Sequence, residues 1–231
     1  MEQVEPVFKG NGDPWNIALV DNNSIVLDYL ASYLGSLPQF NICWSMQGGH
    51  DAVNAYHRSI ISATNAPDLI ITDLSMRGMS GFELSATIRF EDDHTPILGF
   101  TSYMTQPYEV DAVKNGMQGL LLKGEIVPLV SAMQQLLMGE PIHRSNGDQY
   151  ETPQKAYLRL HRQGKPAVIN MSPNEQRVME LCAQGLSTRA IAHITGDSES
   201  TVKTYISRAM KKLNASSRAE AVAKWSQKTK F

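Results

Sequence analysis

Cysteine is scarce: Cys43 and Cys182 are the two in the chain, far apart and with no paired or His-flanked spacing. That pattern argues against a disulfide framework or a thiolate metal site and leaves two buried, reduced thiols. Long apolar runs are missing too. The opening MEQVEPVFKGNGDP has no basic region followed by an apolar one, and Asp, Lys or Gly breaks each candidate window short of bilayer-spanning length. No internal repeat or low-complexity tract is present. The expectation is a cytoplasmic protein with no membrane partner. What the chain does have is apolar content, 42% over 231 residues, enough for two folded cores.

The net charge of −2 is a near-cancellation. Residues 1 to 140 hold 16 Asp and Glu against 6 Lys and Arg, a balance of −10, while residues 141 to 231 hold 7 against 15, a balance of +8. An acidic module followed by a basic one suggests a regulatory or catalytic unit joined to one that meets a polyanion.

In the acidic part, short apolar runs alternate with helical spacing. Trp15 to Val20 reads as a strand ending in Asp21. Asn22 and Asn23 follow, and Ser24 is the expected cap of a helix carrying Val26, Leu27, Leu30, Tyr33 and Leu34. Phe40 to Met46 is a second strand and Asp51 to Ile61 a second helix. After Pro67, the run Leu69, Ile70, Ile71 and Thr72 is a fully buried strand with Asp73 at its end. Gly78 and Gly81 loosen the turn that follows, and Leu84 with Ile88 starts a helical stripe. Pro96 to Phe100 leads to Thr101 and Ser102, Tyr108 to Asn115 is a short helix, Gly119 to Leu122 ends in Lys123, and Ile126 to Met138 is an amphipathic helix. Five strands alternating with five helices predict an α/β fold, a doubly wound parallel sheet with its functional groups on the carboxyl edge.

That edge would collect Asp21, Asp73, Thr101 and Lys123. Two close carboxylates repel unless a cation stands between them, and a hard divalent ion such as Mg²⁺ prefers oxygen ligands. A phosphoryl group on Asp73 would need the same surroundings, cations for its oxygens and a hydroxyl to donate to it. Taken alone, Asp73 reads equally well as a turn former or helix cap. A phosphate-ester hydrolase could use the same cluster, but the second acid and substrate-covering cap such an enzyme needs are not visible in the sequence.

From Trp15 to Gly139 the chain resembles the receiver domain of bacterial two-component response regulators. The resemblance rests on Asp73 at a strand end, Met76 three residues on, Gly81 eight residues on, Thr101, and Lys123 after an apolar strand. It implies a flavodoxin-like five-stranded sheet with Asp73 as phosphoacceptor, fed by a cognate sensor histidine kinase. It further implies Mg²⁺ held by Asp21, Asp73 and the main-chain carbonyl of Ser75, with Thr101 and Lys123 as the phosphorylation switch. Asn22 stands where receivers usually carry a second acid; its amide oxygen can ligate Mg²⁺ without adding charge. Arg77 replaces a usual proline, and Leu120 a common aromatic switch residue. These departures keep a second expectation open, a phosphorylation-independent pseudo-receiver controlled by dimerisation or a ligand.

Residues 140 to 170 change character. Pro141, Ser145, Asn146, Gly147 and Asp148 are turn formers, Pro153 opens a short helix through Arg162, and Gly164 and Pro166 close a linker. Arg144, Lys155, Arg159, Arg162 and Lys165 read as solvated linker cations. Ser172, Pro173 and Glu175 form a helix-start signal, Val178, Leu181 and Cys182 an apolar face, and Gly185 a stop. Ser187 caps a second helix carrying Ile191 and Ala192. After Gly196 and Asp197, Ser198 caps a third, with Val202, Ile206, Met210 and Leu213 inward and Lys203, Thr204, Ser207, Arg208, Lys211 and Lys212 elsewhere. A last helix from Ser217 carries Ala221, Val222 and Trp225.

Two helices joined by a short glycine turn, the second basic on its outer face, make a helix-turn-helix pattern. The run from Ser172 to Val222 resembles the LuxR-type output domain of the NarL/FixJ family, matching at Pro173, Glu175, Val178, Gly185, Ser187, Ile191, Ala192, Thr201, Val202, Lys203, Lys212, Leu213 and Ala221. The resemblance implies a small all-α domain on double-stranded DNA, with Lys203 and Thr204 leading the groove contacts and Ser207 nearby. It also implies a homodimer on DNA, with Ala221, Val222 and Trp225 as candidate pairing residues. The expected organisation is a tail over 1–14, a receiver over 15–139, a linker over 140–170 and a DNA-binding domain over 171–231.

Overall fold

The structure, a computed structural model, describes residues 5–124, 126–163 and 173–228. Gly164, Lys165, Pro166 and Ser172, expected to end the linker and cap the next helix, lie outside the described residues. The chain divides into two compact units, Met1–Pro166 and Ala167–Phe231.

The first unit runs β1 (Trp15–Val20), α1 (Ser24–Gly35), β2 (Phe40–Met46), α2 (Gly49–Ser62), β3 (Leu69–Thr72), α3 (Gly81–Arg89), β4 (Ile97–Thr101), α4 (Glu109–Lys114), β5 (Gly119–Leu122), α5 (Ile126–Leu137) and α6 (Pro153–Gln163), with a 3₁₀ turn at Gln106–Tyr108. All strand pairs are parallel, in the order β2-β1-β3-β4-β5. The fold class is as expected. Every residue of β3 is buried, which is why its sequence is a continuous apolar run rather than an alternating one. On one face Ile17, Leu19, Leu69, Ile71, Leu98 and Phe100 pack under α1 through Leu27, Leu30 and Leu34 and under α5 through Leu129, Met133 and Leu136. The chain leaves β1 towards β2 on one side and reaches β3 on the other, so the sheet has its topological switch point between β1 and β3.

Two helix starts refine the expectations. Asn23, not Ser24, caps α1: its backbone is extended and its side chain accepts from Ile25 N at 3.0 Å, while Ser24 is already helical. Both residue types cap well, so the backbone path decides. Helix α3 opens with a reciprocal capping box in which Ser80 Oγ accepts from Glu83 N and Glu83 accepts from Ser80 N.

The segments flanking the sheet are anchored. Trp15 Nε1 donates to Val7 O at 3.0 Å, Gln134 Nε2 to Glu5 O at 2.7 Å, and Lys9 pairs with Asp68 at 2.7 Å. Helix α6 buries Ala156 and Leu160, and His161 stacks on Phe90 with ring centres 4.3 Å apart. Of the linker cations, Lys155 and Arg162 are exposed, whereas Arg159 and Arg144 are three-quarters or more covered and face Glu151 and Glu109.

At the amino edge of the sheet Arg89 is completely buried. Its guanidinium donates to Gly116 O (3.3 Å), Asp92 O (2.8 Å), Thr95 O and Gln118 Oε1 (2.9 Å), tying the end of α3 to the starts of β4 and β5. Burial lowers its pKa to about 10, so it stays charged at neutral pH. Gly116 makes the approach possible: its φ is +82°, and a Cβ there would lie 2.7 Å from Arg89 Cγ.

The second unit contains α7 (Pro173–Ala183), α8 (Thr188–Thr195), α9 (Glu199–Lys212) and α10 (Arg218–Lys228). Val178, Met179, Cys182, Ile191, Val202, Ile206, Ala209, Leu213, Ala221 and Trp225 form its core. Two of the candidate pairing residues, Ala221 and Trp225, are thus committed to packing within the unit, and Val222 is half-buried against them.

Candidate functional site

The pairing of Val20 with Thr72 fixes the next residue of each strand, Asp21 and Asp73, side by side at the switch point. Asp73 N donates to Val20 O at 2.8 Å, which continues the ladder past the strand end. On the other side β4 pairs with β5 through Thr101 and Leu122, and Lys123 N donates to Thr101 O at 2.6 Å. Four residues distant in sequence therefore meet on one edge, as expected.

Lys123 Nζ lies 2.6 Å from Asp21 Oδ2 and 3.1 Å from Asp73 Oδ1 and bridges the two carboxylates. Both acids are nearly covered, at 2% and 6% exposure, and Thr101 is fully buried. Burial raises the Asp73 pKa; Lys123 pulls it down, Asp21 pushes it up, and the net direction is upward. One ammonium stands between two carboxylates, so the three groups together are negative when both acids are ionised. Asp21 Oδ1 accepts from Asn23 N at 2.9 Å, and Asn22 Nδ2 donates to Ser75 O at 3.2 Å. Thr101 Oγ1 accepts from Tyr103 N at 3.2 Å.

Gly81 closes the site from below. Gly81 N donates to Leu74 O at 3.0 Å, and a Cβ on Gly81 would fall 2.2 Å from Asp73 O, against main chain that cannot swing away. The glycine eight residues after Asp73 is therefore a packing requirement of the aspartate's own backbone. Leu120, at the position of a common aromatic switch, is buried over Gly99, where an added Cβ would meet its Cδ2 at 2.3 Å. Arg77 is exposed.

The donor set fits a hard divalent cation. Two carboxylates, the Ser75 carbonyl and the Asn22 amide oxygen are all oxygen donors, the kind such an ion prefers. A cluster of two acids and a histidine, Asp92, Asp93 and His94, differs in kind: Asp92 already accepts from His94 N at 2.6 Å and Thr95 N at 3.2 Å as the turn before β4.

In the second unit, α9 starts at Ser198, whose Oγ accepts from Thr201 N at 3.1 Å, and the turn before it ends α8 at Gly196 in the left-handed region. Val202, Ile206 and Ala209 face the core, while Lys203, Thr204, Ser207, Arg208 and Lys211 are exposed on the opposite side. Thr204 Oγ1 donates back to Ser200 O at 3.0 Å, leaving its oxygen to accept. Lys212 is placed differently: its Nζ is 2.6 Å from Oε2 of Glu175, which is 2% exposed. Lys212 therefore ties α9 to α7. Glu175 reads in sequence as a helix-start residue, which hid this pairing across 37 positions.

Comparison with known proteins bears on both units. Residues 17–133 match the family model described as response regulator receiver domain, and residues 170–224 match that described as bacterial regulatory proteins, luxR family. The chain is 29% identical over 214 residues to the nitrate/nitrite response regulator protein NarL of Escherichia coli (strain K12), covering 91% of this chain and 94% of NarL. It is 26% identical to the transcriptional regulatory protein LiaR of Bacillus subtilis (strain 168), over 89% of this chain and 93% of LiaR. A solved structure of the two-component response regulator RcsB in complex with DNA aligns with a TM-score of 0.50 at 21% identity, over 92% of this chain and 98% of that one, a likeness of fold.

Proposed function

The chain belongs to the response-regulator receiver family, its receiver followed by a LuxR-type DNA-binding domain, and from this premise we propose that it is switched by phosphorylation of Asp73. It is a transcriptional regulator rather than an enzyme. The observation that carries the proposal is the Lys123 ammonium bridging Asp21 and Asp73, with the buried Thr101 at the end of the neighbouring strand β4. Asp73 Oδ would attack the phosphorus of a phosphohistidine on the cognate sensor kinase. The N–P bond breaks, an acyl phosphate forms, and the departing imidazole takes up a proton. Asp21, Asp73, the Ser75 carbonyl and the Asn22 amide oxygen are the residues to hold Mg²⁺, which when bound neutralises phosphoryl oxygens. Lys123 exchanges Asp73 for a phosphoryl oxygen, and Thr101 turns its hydroxyl towards another.

The output is binding of double-stranded DNA by a homodimer, with Lys203, Thr204, Ser207 and Arg208 at the groove and Lys211 on the phosphates. Among the described residues no helix is long and apolar enough to cross a membrane, and we place the protein in the cytoplasm. The Asn22 amide on the Ser75 carbonyl favours one second reading, a regulator that works without phosphorylation.

Intact mass after incubation with acetyl phosphate and Mg²⁺ separates the two, with Asp73→Asn as control. The expected result is one phosphoryl adduct on the wild type, absent in the variant, with a shift towards dimer. An unmodified mass at saturating donor, together with wild-type DNA affinity in Asp73→Asn, overturns the phosphoswitch and supports the second reading.

A further inference from the structure

Helix α4 has little of its own to hold it on the sheet: of its six residues only Glu109 and Ala112 are buried. Its two ends are held by the chain that follows α5. At the first turn the Glu109 carboxylate, 7% exposed, accepts from Ser145 N at 2.9 Å and Ser145 Oγ at 2.7 Å, with Arg144 Nε 3.9 Å away. At the last turn the Arg159 guanidinium of α6 donates to Lys114 O at 3.1 Å and adds a second donor to Val113 O, which already accepts from Gly116 N at 3.0 Å. Arg159 is pre-aimed for this. Its Nε lies 3.0 and 3.1 Å from the two oxygens of Glu151 and its Nη2 2.8 Å from one of them.

The first of these joints is incompletely satisfied. The hydroxyl of Tyr150, 3% exposed, and Arg144 Nε are buried without a hydrogen-bond partner among the described residues. Groups of this kind regain water when a joint opens, so opening is less unfavourable than the Glu109 bonds alone imply. The segment carrying Tyr150 is itself a compact turn, closed by the His143–Gln149 bridge, by Arg144 N on Asp148 O at 2.6 Å and by Tyr150 N on Ile142 O at 2.8 Å. It can move as a piece.

We infer that residues 143–163 form a bracket on α4 that passes α4's position to the chain entering the DNA-binding domain. The input comes through Thr101, whose Oγ1 already accepts from Tyr103 N in the loop leading to α4. A hydroxyl drawn towards Asp73 pulls on that loop. The input rests on the phosphoswitch reading; the bracket itself does not.

The test is amide hydrogen exchange on the full chain, for wild type, Glu109→Gln, Arg159→Ala and Arg159→Lys, with and without acetyl phosphate and Mg²⁺, reading intact mass on the same samples. Without donor, Arg159→Ala is expected to speed exchange at least tenfold in both 109–116 and 153–163, with Arg159→Lys intermediate and β1 and β3 unchanged. Glu109→Gln is expected to do the same for 109–112 and 143–150. Loosening of 153–163 with 109–116 left as in wild type refutes the bracket, whatever happens at Asp73. Where the wild type carries the adduct, joint loosening of 109–116 and 143–163 is expected, and unchanged protection of 143–163 refutes transmission. An unmodified wild type refutes the phosphoswitch as the input, while the bracket still stands or falls on the comparison without donor.

Discussion

At Asp73 burial raises the carboxyl pKa and outweighs the pull of Lys123, with Asp21 adding to the rise. A carboxyl whose folded pKa lies above its unfolded one contributes stability that is full below the unfolded value and lost as pH rises through the folded one. At neutral pH the ionised Asp73 is therefore a net destabilising group. Asp73→Asn should raise unfolding stability at pH 7. The gain should fade as pH falls through the raised pKa of the folded-state carboxyl, because the wild-type group then becomes neutral as well. Urea unfolding at several pH values checks this; a variant less stable than wild type at pH 7 would mean that the lost Lys123 contact dominates. The residues of this site were legible because each closes a buried strand. Arg89 was not, since a basic residue in the last turn of a helix is an ordinary surface feature. Its acceptors, Thr95 O, Gly116 O and Gln118 Oε1, converge only once β4 and β5 have paired.

Among the elements, strands and long helices could be read from their spacing because burial on two faces, or on one stripe, leaves a direct trace. The part played by α6 left a fainter one: Ala156 and Leu160 are a narrow apolar pair amid polar residues, and the partner they pack against is not specified locally. On α9 the pattern placed the helix correctly but did not separate cations facing solvent from the one held by Glu175. The structure therefore predicts three outcomes from three substitutions. Lys203→Ala should weaken specific DNA binding by about 1–3 kcal/mol and leave binding to random duplex nearly as it was. Lys211→Ala should weaken both alike and reduce the salt slope by about 0.9. Lys212→Ala should act first on stability, because it removes the 2.6 Å ion pair between α9 and the buried Glu175 of α7. DNA titrations over a range of salt, with thermal melts of the same proteins, distinguish them; a salt slope unchanged in Lys211→Ala would remove that residue from the phosphate contacts.

The whole chain joins two units with separate cores and opposite charge, −10 over residues 1 to 140 and +8 over residues 141 to 231. The boundary of the compact units, after Pro166, falls beyond α6, so the charge division and the structural division do not coincide. Arg144 and Arg159 raise the basic count yet serve the first unit, through Glu109 and Glu151. Sequence composition located the change of character; packing locates the boundary. Because no side chain among the described residues belongs to both cores, full-chain calorimetry should show two transitions, each answering to its own ligand. A ligand at a hundred times its Kd stabilises the unit that binds it by about 2.7 kcal/mol. Mg²⁺ should raise only the transition that Asp73→Asn also raises. A specific DNA duplex should raise only the one that Trp225→Phe, a substitution in the second core, lowers. If either ligand moves both transitions together, the units stabilise one another, and coupling between them must be sought in contacts beyond the chain that joins them.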